Sequence, residues 1–213
     1  IVAPLFFVFG LIVYRTVLDR VMRAGALAQI AATIGLIILV RNSALAVWTA
    51  QPRGLRYSIL AGYVQAGPVV IDLLRLMAAL ASIVAMFAVT LWLSRTYTGL
   101  ALRATSDDSR AASLLGVNIR RMFAIAFGLG CAIIGLAAAF IMTFQEVNPE
   151  TGLTWGLISW IIVAMGGLGG VSGVLFSGLI VGLTEAVEIT YFDPRASAGV
   201  IYVIFILLLW LRP

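Results

Sequence analysis

The chain has no histidine, no lysine, a single cysteine, and only nine acidic residues set against fourteen arginines. Each shortage removes a class of chemistry. With no histidine and with Cys131 alone, neither a His/Cys metal cluster, nor an internal disulfide, nor a Ser-His-Asp or Cys-His nucleophile can be built. A phosphate-binding loop of the G-x-x-x-x-G-K-[ST] kind needs its lysine to reach the phosphates, so the chain cannot hydrolyse ATP by that route. No residue cluster asks for a metal or an organic cofactor, and none is expected. Charge as a whole is scarce, at 11% of residues, which leaves too little polar surface to cover a water-soluble globule.

What fills the space is apolar: 62% of residues are hydrophobic and the mean hydropathy is +1.11. Runs of roughly 20 apolar residues recur along the chain, the length an α-helix needs to cross a hydrocarbon core. A membrane barrel would alternate apolar and polar side chains in short segments, whereas 30–40 and 200–209 are apolar on every face. The expected fold is therefore all-α, a polytopic transmembrane helical bundle. It has about seven apolar segments, near 1–14, 24–48, 71–93, 122–144, 153–165 and 174–191, with a last one after the turn Asp193-Pro194-Arg195. Residues 1–213 read as one transmembrane domain, N-terminally truncated, because the chain opens at Ile1 inside an apolar stretch with no signal-peptide pattern.

A net charge of +5 would suggest nucleic acid in a soluble protein, but here the arginines sit in short loops between apolar spans, and no nucleic-acid partner is expected. Along that segmentation Arg15, Arg20, Arg23, Arg95, Arg103, Arg110, Arg120, Arg121 and Arg212 fall on one side of the membrane, and Arg53, Arg56 and Arg195 on the other. The positive-inside rule makes the first side cytoplasmic, the C-terminus included.

The longest polar stretch, RATSDDSRAASLLGVNIRR at 103–121, lies on that side and reads as a short helix of its own. Thr105 or Ser106 is placed to cap its start, Asp107 and Asp108 complement the positive end of its dipole, and Gly116 suits a left-handed stop. Such a helix presents Ala111, Ala112, Leu114 and Leu115 outside the bilayer. Small residues beside paired leucines let another protein approach closely, so the segment is either a docking helix or a solvated connector.

The stretch ALRATSDDSRAASLLGVN at 101–118 and GGLGGVSG at 166–173 carry a resemblance to a known family, joined by TIG at 33–35, Asn148-Pro149, GLTE at 182–185 and Arg212-Pro213. Over nearly its whole length the chain resembles the LivH-type branched-chain amino acid permease subunits of ABC importers. The resemblance implies a transport subunit, not an enzyme, in a bacterial-type plasma membrane, importing Leu, Ile, Val or similar small polar solutes. It implies three protein partners: an ATP-binding subunit, a second permease subunit and an extracytoplasmic solute-binding protein. It also makes 103–121 the cytoplasmic coupling loop, with Asp107, Asp108, Arg110, Ala111, Ala112, Leu114, Leu115, Gly116 and Asn118 as the ATPase-docking residues. Arg41 departs from the family pattern, standing where an uncharged polar residue such as Gln is expected before Asn42.

Gly166, Gly167, Gly169, Gly170 and Gly173 put five glycines in eight residues, which suits either a hinge or pathway-lining kink or a tight turn between two membrane segments. Gly178, Gly182 and Ala186 recur every four residues and predict close helix packing. Ionisable groups inside a membrane cost on the order of 3 kcal/mol each, so Arg41, Glu185 and Glu188 need a reason. Glu185 is expected to face inward, toward a polar pathway or a structural partner; Arg41 either lines that pathway or snorkels to the headgroups. Asp72 and Arg75, three apart at the mouth of a span, are expected to pair. Two rival readings are a sugar-type ABC permease and a self-contained channel or ion-coupled carrier, which would transport alone on a cation gradient.

Overall fold

The computed structural model describes residues 1–22, 24–54, 62–66, 69–167 and 171–191, together with positions 203 and 210. Its internal contacts divide the chain into two units, Ile1–Pro149 and Glu150–Pro213.

The first unit opens with α1 (Val2–Val13), which runs on through a π-helical turn (Tyr14–Leu18) into α2 (Asp19–Val21). The basic stretch after residue 14, expected as a loop, is thus largely helical. Two of its polar side chains bond within the helix itself: Thr16 Oγ1 donates to Ile12 O at 2.8 Å, and the Arg20 guanidinium donates to Thr16 O at 2.9 Å. Tyr14 and Leu18, meanwhile, are buried with Ala124 of a later helix.

Two long helices come next, α3 (Ala26–Trp48) and α4 (Leu73–Arg95), each of 23 residues. At 1.5 Å per residue they are roughly 34 Å long, enough for a hydrocarbon core. No described residue of either is buried, and Ile30, Ile34, Leu80 and Phe87 stand exposed, which suits contact with lipid tails.

The stretch between them contains an antiparallel hairpin, β1 (Tyr63–Ala66) with β2 (Val69–Asp72), pairing Tyr63 with Asp72 and Ala66 with Val69. This short ladder is the departure from the all-α expectation. Its residues include Tyr, Val and Ile, which favour strands, and the sequence between them is Gly67-Pro68, a turn-forming pair.

The unit continues with α5 (Tyr97–Asp107), α6 (Ser109–Leu114) and the longest helix, α7 (Ile119–Phe144). The most extensively packed helix pair in the unit is α1 with α7, and glycine sets its spacing. A Cβ on Gly10 would lie 2.9 Å from Cys131 Cβ and from Gly128 Cα, and one on Gly135 would lie 2.6 Å from Phe6 Cγ. The backbones approach this closely only because those hydrogens are not methyls.

The second unit holds α8 (Thr151–Gly166) and α9 (Val171–Tyr191), packed through Ile161 and Val181 with Ile158, Ile162 and Met165 around them. The small-residue stripe meets α8 only at Gly178, whose added Cβ would sit 3.8 Å from Ile162; Gly182 and Ala186 are exposed.

Among the described residues, four helices are long and apolar enough to cross a membrane: Val2–Val21, Leu27–Trp48, Leu73–Arg95 and Ile119–Phe144. Thr151–Gly166 and Gly173–Val187 are apolar but shorter. Of the about seven expected segments, four are thus helices of spanning length and two are shorter apolar helices, while most of the last lies outside the described residues.

Candidate functional site

The polar insert between the spans α4 and α7 is two helices rather than one. Thr96 starts α5: its hydroxyl accepts from Gly99 N–H at 3.0 Å and donates to Trp92 O, the end of α4, at 2.7 Å. One side chain therefore serves both helices at the joint. Gly99 makes the joint tight, since a Cβ there would lie 2.5 Å from Leu93 Cα and 2.6 Å from Trp92 O. Gly99, Ala101 and Thr105 are the buried residues of α5, with Ala101 and Thr105 one turn apart on a single face.

The second helix, α6, is capped by Asp108, not by Thr105 or Ser106. The Asp108 backbone is extended and its carboxylate accepts from the N–H groups of Arg110 at 2.8 Å and Ala111 at 3.1 Å. Thr105 is instead buried inside α5, where its hydroxyl donates to Ala101 O at 2.7 Å. This second helix begins later than expected because α5 continues through Ser106 to Asp107.

The exit from α6 keeps to the expected pattern. Gly116 takes φ +84°, its N–H bonds to Ser113 O at 3.0 Å, and Val117 N–H bonds to Ala112 O at 3.1 Å, the paired closure of a Schellman motif. Two residues on, the Asn118 side chain accepts from Arg121 N–H at 3.1 Å and starts α7. Asp108, Gly116 and Asn118 thus hold α6 at both ends.

This framing decides what α6 presents. Leu114 is 88% exposed, Leu115 83%, and Ala111, Arg110 and Asp107 are exposed beside them. Ala112 is the exception to the expected outward face: at 2% exposure it is packed within the unit. On a helix, positions 111, 114 and 115 share a side, and 112 turns about 100° from 111. Two large leucines left in the open at the tip of a polar insert mark a surface that has no cover within the first unit.

At the opposite end of the first unit the chain is tied differently. Arg53 and Val147 exchange both backbone hydrogen bonds at 2.9 Å, joining the segment after α3 to the segment after α7. Asp72 caps α4 by accepting from Leu74 N–H at 3.0 Å and pairs with Arg75 at 3.9 Å, as expected. Arg75 also lies over the Phe144 ring, 5.8 Å from its centre.

In the second unit Gly166 and Gly173 meet backbone to backbone; a Cβ on Gly166 would lie 2.6 Å from Gly173 C. Gly167 ends α8 with φ +79°. The described glycines thus bring the end of α8 against the start of α9, while Gly169 and Gly170 lie outside the described residues. Glu185 on α9 and Arg41 on α3 are partly exposed and belong to different units. Among the described residues no group of three His, Cys, Asp or Glu side chains is placed to hold a metal ion.

Helices of spanning length, joined at one end by a capped polar insert, define the class: polytopic α-helical membrane proteins. The chain belongs to the family described as branched-chain amino acid transport system / permease component, whose model matches residues 4–209. It is 26% identical over 210 residues to the high-affinity branched-chain amino acid transport system permease protein BraD of Pseudomonas aeruginosa, covering 96% of this chain and 68% of that protein. To the corresponding LivH protein of Escherichia coli it is 33% identical over 130 residues, 61% of this chain and 42% of that one. A shorter match, 38% over 104 residues, covers 44% of this chain and 28% of the fructose import permease protein FrcC of Rhizobium meliloti. No solved structure matches the chain.

Proposed function

We propose that the chain is a membrane-spanning subunit of an ATP-driven importer for branched-chain amino acids or similar small polar solutes, and that α6 is its coupling helix. The observation that carries this reading is α6 itself, a short helix fixed at both ends whose leucines, Leu114 and Leu115, are the most exposed large apolar side chains of the insert. A partner ATPase with an apolar cleft would cover them. Arg110 and Asp107 beside them would set the orientation of docking.

The joints give such docking a mechanical consequence. ATP binding draws the nucleotide subunits together, and α6 moves with the subunit that holds it. Thr96 and Gly99 connect that motion to α4, and Gly116 through Asn118 connect it to α7. A two-state rearrangement of the spans then opens the pathway alternately to each side. The arginine-rich end is cytoplasmic, and the tied end at Arg53 and Val147 faces outward, where an extracytoplasmic solute-binding protein would dock near Glu146 and Glu150. The chain supplies half the pathway, a second permease subunit the other half, with about seven segments counted across 1–213. Arg41 and Glu185 are the ionisable groups assigned to line it or to support its walls, and the Gly166 to Gly173 turn is the pivot between α8 and α9. A sugar is the second solute class, favoured by the match to a fructose permease.

Co-purification of the full-length subunit with its ATPase and second permease tests the reading. The native complex is expected to hold together, and Ala111→Glu or Leu114→Glu to release the ATPase while leaving membrane insertion intact. A native subunit that never retains an ATPase contradicts it.

A further inference from the structure

We propose that Asp19 and Arg120 form a positioning pair that relays the motion of the docking loop into α1; the proposal rests on the coupling role of α6 given above. Asp19 Oδ1 lies 2.9 Å from Arg120 Nε, joining the start of α2 to the first turn of α7. Arg120 is five residues beyond Leu115, with only Gly116 to Ile119 between them, and the hydrogen bonds that close α6 and start α7 span this short connection.

The charge pattern makes this pairing selective. Asp19 is the only acidic residue in the first 71 positions and has Arg15, Arg20 and Arg23 near it in sequence. It pairs instead with an arginine a hundred residues away, while Arg20 donates to Thr16 O. The π-helical turn Tyr14–Leu18 sets the direction of Asp19, because one extra residue in a turn rotates the residues after it by about 100° relative to an uninterrupted α-helix. The π-helical turn itself meets α7 in the apolar cluster of Tyr14, Leu18 and Ala124. From there α1 runs along α7 past Gly10, Gly128 and Gly135. The pair thus sits where a displaced α7 start would first pull on α1.

Exposure of the two side chains, 58% for Arg120 and 27% for Asp19, makes the pair a minor contributor to folding stability. Its effect belongs in coupling. The test uses the assembled transporter in proteoliposomes, with solute moved per ATP hydrolysed measured at matched amounts of complex for native, Asp19→Ala, Arg120→Ala and the double variant. Each single change is expected to lower the ratio at least fivefold with the ATPase still bound, and the double to be no worse than either single, because the interaction is lost only once. Arg120→Lys, which keeps the charge, is expected to retain at least half the native ratio. Unchanged ratios in the single variants, losses that multiply in the double, release of the ATPase, or an Arg120→Lys variant as uncoupled as Arg120→Ala would each overturn the proposal. A native complex without ATP-dependent uptake is a different result, and it is the permease reading that would then fail.

Discussion

Asp107 and Asp108 are adjacent carboxylates, both exposed, yet they hold different things. Asp108 satisfies two backbone N–H groups at the start of α6, whereas Asp107 closes α5 with no cap to make. Asp108→Ala is expected to weaken the docking helix by about 1 kcal/mol, seen as a roughly fivefold loss in affinity for the ATPase. A direct contact with the partner aside, Asp107→Ala should change the stability of the solubilised subunit by less than about 0.5 kcal/mol, since it removes no cap. The sequence reading places the cap at Thr105 or Ser106 and gives Asp107 and Asp108 only the dipole, since the local residue types do not separate a cap from its neighbours in this run. What does so is the length of α5, fixed by burial of Ala101 and Thr105. Gly99 was illegible for a related reason. Its need arises from the angle at which α5 leaves α4, and Gly99→Ala, whose Cβ would lie 2.5 Å from Leu93 Cα, is expected to cost about 1–3 kcal/mol in thermal unfolding of the solubilised subunit.

Helices raise the question of which small residues carry packing. The regular stripe Gly178, Gly182, Ala186 was the visible pattern, but the tight pair is α1 with α7, where Gly10 faces Gly128 and Cys131, and Gly135 faces Phe6. That contact has no simple repeat on α1, and α7 is rich in small residues on every side, so periodicity could not pick out the buried ones. Gly10→Leu and Gly135→Leu are expected to destabilise the subunit by about 1–3 kcal/mol or to prevent its accumulation. Gly130→Leu on the same helix, where an added Cβ meets nothing within 4 Å, serves as the control and should leave the melting temperature nearly unchanged. Equal losses at Gly130 and Gly135 would refute the assigned interface. The π-helical turn and the hairpin were the other elements missed. Both lie in stretches too polar or too short for a hydropathy pattern to register, and both depend on partners distant in sequence or across a turn.

For the molecule as a whole, the legible part was the alternation of apolar spans and arginine-bearing connections. Two of the arginines assigned from sequence to opposite sides stand in separate ties: Arg120 reaches Asp19, and Arg53 joins Val147. In a Cys131→Ala background, a cysteine at Ser109 is expected to react with a membrane-impermeant maleimide only from the cytoplasmic side, and one at Glu146 only from the outside. Labelling of both from the same side would break the orientation. The central claim is tested most directly by solute uptake into proteoliposomes that hold the complete assembly. With ATP enclosed on the α6 side, labelled leucine should be transported by the native complex and not by a Leu114→Glu, Leu115→Glu variant. Uptake by this subunit alone, driven by a cation gradient without ATP, would contradict the account.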